Sequence, residues 1–394
     1  MTGERGDFTA KSAWAFVIAF GFVSLFADAT YEGMRAISGP FLALLGASGA
    51  VVGVIAGGGE LIGYLLRLVS GRLADRTHAY WTLIIAGYAV QMAAVPLLAF
   101  AGSWQVAGLL IVVERAGKAL RKPVVSFMLS RAGRHTGQGR AFGLHEAMDQ
   151  AGACAGPLIA ALVLAGHGDY RAAFLWLGVP AFLTVATVIG VRLRYRHAGH
   201  APRSAAKGAR PPLPCAFWFY LAASALVGFG FVDYPLIAFH FARHGVMSPA
   251  WIPIFYAVAM GMAGLSALVF GHWYDSFGLK VLVPGILIGV AVTPLSFLGG
   301  FAMGLVGMLL WGASLGVHEA VMDAAVAGFL PEEGRARGFG LFSALYGVAW
   351  FAGSALMGLL YDRSIMLMVA VSAAATLLAF MPLAQAMRVR PPAD

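Results

Sequence analysis

The sequence predicts an all-α membrane protein with twelve transmembrane helices, arranged as two related bundles of six. Three observations predict this fold class: the composition, the succession of apolar segments, and an internal repeat. Of the 394 residues, 60% are hydrophobic and only 11% are charged, whereas a soluble domain carries about 25% charged residues. Because so few charges cannot cover the surface of a soluble protein of this length, the exterior is expected to face lipid.

Twelve segments are apolar enough to cross a bilayer, which takes roughly 20 residues per helix. They lie at 13–36, 45–70, 79–101, 103–131, 139–166, 170–192, 214–241, 248–270, 279–300, 302–327, 335–360 and 363–388. The polar N-terminus lacks a cleavable signal pattern, so the first segment is expected to remain in the membrane. The predicted domains are an N-terminal bundle at 1–192, a solvated linker rich in Arg, Lys and Pro at 193–213, and a C-terminal bundle at 214–394.

The distribution of Lys and Arg predicts the orientation. Eighteen of the 27 fall on the side of the N-terminus, three fall on the other side, and six lie within spans. Cytoplasmic loops collect Lys and Arg, so both termini are expected in the cytoplasm of a bacterium, with the chain in its inner (cell) membrane. The net charge of +9 then needs no nucleic-acid partner, because these cations face the headgroups of anionic membrane lipids.

The openings of the fifth and eleventh spans resemble each other. Arg140-Ala-Phe-Gly-Leu-His-Glu-Ala is matched 197 residues later by Arg337-Gly-Phe-Gly-Leu-Phe-Ser-Ala. The same offset separates Gly156 from Gly353. Such matches at equivalent places in two halves indicate an internal duplication.

A second repeat occupies the loops that follow the second and eighth spans, 200 residues apart. Its residues are Gly71, Asp75 and Arg76 in the first copy, and Gly271, Asp275, Gly278 and Lys280 in the second. With this signature, the whole chain resembles the major facilitator superfamily, although residues 78–80 depart from the family pattern. The resemblance implies two six-helix halves with a central site between them, and gating roles for Gly71, Asp75, Arg76, Gly271 and Asp275.

The fifth span carries Gly152-Ala-Cys-Ala-Gly156-Pro157. This segment resembles the glycine–proline signature of proton-coupled drug and metabolite antiporters in the superfamily, except that alanines replace a following glycine pair. The glycines provide a smooth packing face, and Pro157 permits a bend. A gating role is therefore expected, and ordinary helix packing is the alternative. The stretch from Glu114 to Pro157 also resembles a little-characterised prokaryotic branch of the superfamily, which adds no substrate.

Carboxylates within the spans are candidate proton-coupling residues, because ionisable groups at bilayer depth are costly and by default functional. The candidates are Asp28, Glu32 and Asp149. Asp28 and Glu32 share one face of the first span. Coupling needs a carboxylate whose pKa lies near the working pH. Asp28 is favoured, because it lies near mid-depth and can alternate between an ion pair with Arg115 and a protonated state. The alternative is a permanent structural ion pair.

The fourth span is basic, and its repeat partner, the tenth, is acidic. The family resemblance places the first, fourth, seventh and tenth spans around the cavity, which implies one positive wall and one negative wall. Arginine and lysine there suit a carboxylate or phosphate. The candidate substrate-binding residues are Arg115, Lys118, Arg121, Glu146, Asp233, His318, Glu319 and Asp323.

These features predict a transporter that works by alternating access, as a monomer and without a cofactor. The first hypothesis is proton-coupled efflux of a small amphiphilic or anionic molecule. One alternative is import of an organic anion. The other is transport of a divalent metal ion, for which two sets of side chains offer ligands: His145, Glu146 and Asp149, and His318, Glu319 and Asp323. An enzyme is not predicted, because no nucleophile–base set, phosphate loop or cofactor fingerprint appears.

The orientation is tested with single cysteines in the 193–213 linker, in a background without Cys154 and Cys215. We expect a membrane-impermeant maleimide to label them only from the cytoplasmic side, because the linker joins two spans there. Labelling from the periplasm would overturn the orientation.

Overall fold

A computed structural model describes residues 9–77, 79–196, 213–329 and 335–389. In these ranges the chain is almost entirely helical, and they contain no strand. The helices are α1 Ala10–Leu44, α2 Gly49–Thr77, α3 Tyr80–Leu97, α4 Trp104–Thr136, α5 Gln138–His167, α6 Tyr170–Trp176, α7 Gly178–Arg194, α8 Cys215–Gly230, α9 Tyr234–Arg243, α10 Trp251–Phe277, α11 Leu282–Leu298, α12 Phe301–Phe329, α13 Arg335–Arg363, α14 Ile365–Leu378 and α15 Phe380–Arg388.

The twelve predicted spans are all helical. Eleven helical segments in the described ranges are long and apolar enough to cross a membrane. The twelfth is α4, a helix of 33 residues that is less apolar because five charged residues lie between Glu114 and Lys122. The predicted all-α fold class with twelve spans is thereby confirmed.

The chain forms two compact units. One comprises the described residues of 1–37 and 62–205, and the other those of 38–61 and 206–394. Residues 38–61, which the sequence assigned to the N-terminal bundle, therefore pack with the second unit. The predicted 193–213 linker stays a prediction, because residues 197–212 lie outside the described part of the chain.

In the first unit, glycines let α5 approach the backbone of α1. A Cβ atom at Gly152 would meet the Leu25 carbonyl oxygen, and one at Gly156 would meet the Ala29 carbonyl oxygen. Pro157 follows inside α5. The small residues of the glycine–proline segment are thus used for close packing on α1; the gating role predicted for them stays a prediction.

The seventh span, predicted as one helix, is two. Residues 231–233 separate α8 from α9, and Pro235 in the first turn of α9 lacks the N–H that would continue the helix. Two carbonyls at the break receive side-chain donors. Ser372 Oγ donates to Gly230 O at 2.7 Å, and Trp311 Nε1 donates to Val232 O at 3.0 Å. Without water in the bilayer core, a helix is interrupted only where such partners exist.

The repeated signature lies in helix, not in loops. α2 continues to Thr77 and α10 to Phe277, where Gly278, with φ of +57°, ends the helix. Hydropathy predicts where the chain leaves the apolar layer of the membrane, and the loops were expected to begin there. The helices continue beyond those positions, so the signature is helical. The side chains at positions 71, 72, 74–76 and 275 lie outside the described part, so the gating roles of Gly71, Asp75, Arg76, Gly271 and Asp275 stay predictions.

Candidate functional site

The candidate site lies in the first unit, along one face of α1. Ser24, Asp28, Tyr31 and Arg35 follow one another at intervals of three or four residues, which places them on a common face. Ser24 and Tyr31 are buried, and Asp28, Glu32 and Arg35 are half-buried. Glu32 Oε2 lies 3.9 Å from an Arg35 guanidinium nitrogen. This face therefore combines negative, positive and aromatic groups at bilayer depth.

Two cations of α4 meet Tyr31. A guanidinium nitrogen of Arg115 donates a hydrogen bond to the Tyr31 hydroxyl, and the Arg115 guanidinium carbon lies 4.6 Å from the ring centroid. Lys118 Nζ lies 3.6 Å from the same centroid. Cations are attracted to the electron-rich face of an aromatic ring. The arrangement holds two positive charges side by side against α1.

Arg121, predicted with these two cations, packs instead against α3. Its Nε donates to Gln91 Oε1 at 2.7 Å, and a second guanidinium nitrogen donates to the Tyr88 hydroxyl at 3.0 Å. Gln91 Nε2 in turn donates to Glu114 Oε1 at 2.7 Å. Arg121 is 5% exposed and Glu114 is 1% exposed. A buried charge requires such hydrogen-bonding partners, so this geometry favours a structural role for Arg121.

A second cluster joins α1 to α5. His145 Nε2 lies 3.5 Å from Ser24 Oγ and 3.8 Å from Asp149 Oδ1. Asp28 lies within electrostatic range of both His145 and Asp149. Among the described residues, His145 Nδ1 and Asp149 Oδ1 are buried without a hydrogen-bond partner. Two candidate proton-coupling residues are thus brought together beside an imidazole, whereas the predicted alternation of Asp28 with Arg115 stays a prediction.

Asp233 lies at the break between α8 and α9, in the second unit. Its carboxylate oxygens accept hydrogen bonds from Trp350 Nε1 at 3.0 and 3.1 Å and from Ser354 Oγ at 2.5 Å. Asp233 is 3% exposed. Both donors belong to α13, so this carboxylate ties the break to that helix.

The remaining predicted residues are placed separately. Glu146 is exposed and accepts a hydrogen bond from Gln150 Nε2 at 3.1 Å. His318 Nδ1 lies 3.0 Å from the Ser314 carbonyl, beside a small apolar cavity of the second unit. The side chains of Glu319 and Asp323 lie outside the described part of α12. The described residues contain no group of three or more His, Cys, Asp or Glu arranged to hold a metal.

Sequence reasoning missed five partners of the candidate residues: Ser24, Tyr88, Gln91, Trp350 and Ser354. Gln91 carried a usable signal, because a lone amide within an apolar span needs a partner at that depth. The other four carried none, since residues of these types are common in membrane helices. Their roles follow only from the charges that they contact.

The comparisons with known proteins agree on one protein family. The family model of the Major Facilitator Superfamily matches residues 12–265. An uncharacterized protein of Mycobacterium tuberculosis is 42% identical, over 94% of this chain and 92% of the relative. An uncharacterized MFS-type transporter of Methanocaldococcus jannaschii is 23% identical, over 88% and 89%.

Solved structures share the fold. A variant of the nucleoside transporter NupG matches with a TM-score of 0.77 at 11% identity, over 93% of this chain and 99% of that one. A variant of the peptide transporter POT matches with a TM-score of 0.76 at 16% identity, over 97% and 99%. At such identities the likeness establishes the fold alone.

The buried network around Arg121 predicts that two neighbouring cations of α4 contribute differently to the stability of the protein. Arg121→Met should destabilise the protein by about 2–3 kcal/mol, because Gln91, Tyr88 and Glu114 lose a charged partner within the protein. Lys122→Met, which removes an exposed cation one residue away, should change stability much less. Thermal unfolding in detergent measures both.

Adding Glu114→Gln to Arg121→Met should restore part of the lost stability, since it removes a buried negative charge that has lost one of its neighbouring cations. Equal stability of the Arg121→Met and Lys122→Met proteins would contradict the structural role.

Proposed function

Because this chain belongs to the major facilitator superfamily and is a secondary transporter of that type, we propose that it carries a small organic anion together with protons. In this proposal the chain is a monomer in the bacterial inner membrane, with both termini in the cytoplasm. An N-terminal bundle at 1–192 and a C-terminal bundle at 214–394 work by alternating access.

The observation that carries the proposal is the pairing of Arg115 and Lys118 on Tyr31. Two adjacent cations, one with a planar fork of donors, suit a carboxylate or phosphate. Tyr31 fixes both cations, so little side-chain freedom is lost when an anion binds. The aromatic ring also offers an apolar surface to an amphiphilic cargo.

The carboxylates of the α1–α5 cluster support proton coupling. Asp28 lies on the α1 face that carries Tyr31, one turn from the ring, and close to Asp149 and His145. A proton taken up by this cluster removes negative charge near the anion, so proton and anion favour each other's binding. Cargo and proton that bind together also cross together. Under an inward proton gradient, this linkage supports uptake.

Proton-coupled efflux is the second candidate, and the resemblance of the segment from Gly152 to Pro157 to the exporter signature favours it. That segment also serves ordinary close packing on α1. In an exporter, binding of the proton and binding of the cargo exclude each other, so binding of the cargo would weaken as the pH falls. The sign of the pH effect on cargo binding therefore distinguishes the two candidates.

The anion site is tested by a thermal-shift screen of small organic carboxylates and phosphates, each beside its neutral amide or alcohol. We expect stabilisation by an anion and not by its neutral analogue. Arg115→Gln and Lys118→Gln should each weaken that anion by roughly tenfold, because a charge-assisted hydrogen bond is lost. Arg134→Gln, which removes an exposed cation in the last turn of α4, serves as the control. Equal losses for anions and neutral ligands would contradict an anion site.

The proton site is tested with Asp28→Asn, which mimics the protonated carboxylate. In the unmodified protein, the anion should bind more tightly as the pH falls, because protonation of the α1–α5 cluster removes negative charge near it. In Asp28→Asn, binding should be tighter and should depend less on pH, because one carboxylate of the cluster no longer carries a charge. In proteoliposomes this variant should lose pH-driven accumulation but keep exchange of cargo for cargo.

Asp169→Asn is the control, because Asp169 is an exposed carboxylate at the start of α6, outside this cluster. Full pH-driven accumulation by the Asp28→Asn protein would exclude Asp28 as the coupling residue. Binding that weakens as the pH falls would favour efflux instead.

A further inference from the structure

Two histidines lie one helical turn apart at the end of α9, in the second unit. His240 and His244 are four residues apart, so their side chains share one face of the helix. Their ring centroids are 4.5 Å apart. His240 is 4% exposed, whereas His244, the residue that ends the helix, is exposed. The pair therefore joins a buried imidazole to one that solvent reaches.

The separation of the two rings fits two ligands of one metal ion. A metal–nitrogen bond of about 2.0–2.1 Å places the metal about 3.2 Å from the centre of an imidazole ring. Two imidazoles bound at a right angle then have centroids about 4.5 Å apart, and tetrahedral bonds give about 5.2 Å. The observed distance matches the right angle. Histidines at positions i and i+4 of a helix are a known metal-binding arrangement.

Tyr361 of α13 orients the buried imidazole. Its hydroxyl lies 3.1 Å from His240 Nδ1, within hydrogen-bond distance. When Nδ1 carries the proton and donates it to this hydroxyl, Nε2 keeps its lone pair for a metal. Metal-binding histidines are usually held in this way, by a hydrogen bond from the ring nitrogen that does not bind the metal. Tyr361 therefore favours the tautomer that a metal requires.

Aromatic rings cover the buried side of the pair. The Phe297 ring, at the end of α11, has its centroid 4.9 Å from that of His240. The Tyr361 ring lies 5.8 Å from the same centroid, nearly perpendicular to it. An apolar shell of this kind restricts the access of solvent to a metal. The open coordination positions would then lie on the exposed side, beside His244.

Two opposite charges lie near Tyr361: Arg243 of α9 and Asp362 of α13. The Arg243 guanidinium carbon lies 5.5 Å from the centroid of the Phe239 ring. Both oxygens of Asp362 accept hydrogen bonds from the first two N–H groups of α2, at 2.8 and 2.7 Å. Asp362 is therefore used as a helix cap. The two imidazoles remain as the protein ligands, and water completes the coordination.

We propose that His240 and His244 form a binding site for one divalent late transition-metal ion, and that Tyr361 positions His240 in it. Imidazole binds copper, nickel and zinc, whereas Mg²⁺ and Ca²⁺ prefer oxygen ligands. Bonds at a right angle suit Cu²⁺ and Ni²⁺, and Cu²⁺ binds most tightly in the general order of divalent metals. On the predicted topology, the ion comes from the side away from the cytoplasm. The site needs neither the organic anion nor proton coupling.

Calorimetric titration tests the site in the full-length protein, in nanodiscs and without an affinity tag. We expect one Cu²⁺ ion per chain, supplied as its weak glycine complex, with weaker binding of Ni²⁺ and Zn²⁺ and no competition from excess Mg²⁺. His244→Gln should weaken Cu²⁺ binding by about a hundredfold. Loss of a ligand costs at least as much as loss of a supporting hydrogen bond, which costs about 10- to 100-fold.

The control is His272→Gln, which removes an exposed histidine near the end of α10 and should leave the Cu²⁺ affinity unchanged. Because His244 is also exposed, its replacement keeps the interior intact. Thermal unfolding without metal should therefore be the same for both variants and the unmodified protein.

The copper ion also reports its own ligands. Pulsed electron paramagnetic resonance should show coupling of Cu²⁺ to two imidazoles in the unmodified protein and to one in the His244→Gln protein. Tyr361→Phe keeps both ligands but should weaken binding by about tenfold, because His240 loses the partner that orients it. This variant should keep the two-imidazole signal.

The same Cu²⁺ affinity and spectrum in the His244→Gln and His272→Gln proteins would place the ion elsewhere in the chain and overturn the proposal. Absence of Cu²⁺ binding by the unmodified protein would also overturn it, and would leave the two rings as an aromatic contact. Neither measurement contains the organic anion or a proton gradient, so this failure is distinct from failure of the proposed function.

Discussion

The structure depends on one constraint: a polar group at bilayer depth must find its partner within the protein, because no water is available to replace it. The first unit meets this constraint through Arg121, Gln91 and Glu114, which link α3 to α4 by direct hydrogen bonds. The second unit meets it at the break after α8, where Trp311 donates to the freed Val232 carbonyl. Each of these sets of hydrogen bonds determines which faces of the helices are in contact.

The same constraint separates structural charges from functional ones along α4. Arg121 donates hydrogen bonds to Gln91 and Tyr88, and a cargo would have to compete with these two side chains. Arg115 and Lys118 instead lie on the face of Tyr31, and Arg115 Nε also lies 3.9 Å from Glu114 Oε2. A helix with five charges in nine residues can therefore both support its own bundle and bind a ligand.

Glycine residues position the helices in a second way, by letting their backbones come into contact. Small residues allow backbone contact between helices, as at Gly152 and Gly156 on α1 and at Gly53 on α13. These contacts gain stability from dispersion and helix proximity rather than from interlocking side chains. The two classes of contact place α1 at the centre of the proposed mechanism: its Asp28 side meets α5, and its Tyr31 meets α4.

Composition, hydropathy and the repeat determined the fold class, the twelve spans and the shared face of Asp28, Glu32 and Arg35, because these properties depend on residues near one another in the chain. The partners of each charge were not determined in this way. Arg115 and Arg121 are both basic residues of one span, and only the rotation of α4 against α1 and α3 directs one to Tyr31 and the other to Gln91. The assignment of residues 38–61 to the second unit and the capping of α2 by Asp362 likewise rest on contacts between residues far apart in the chain. Periodicity within one helix carries no information about such contacts, so only the tertiary structure decided them.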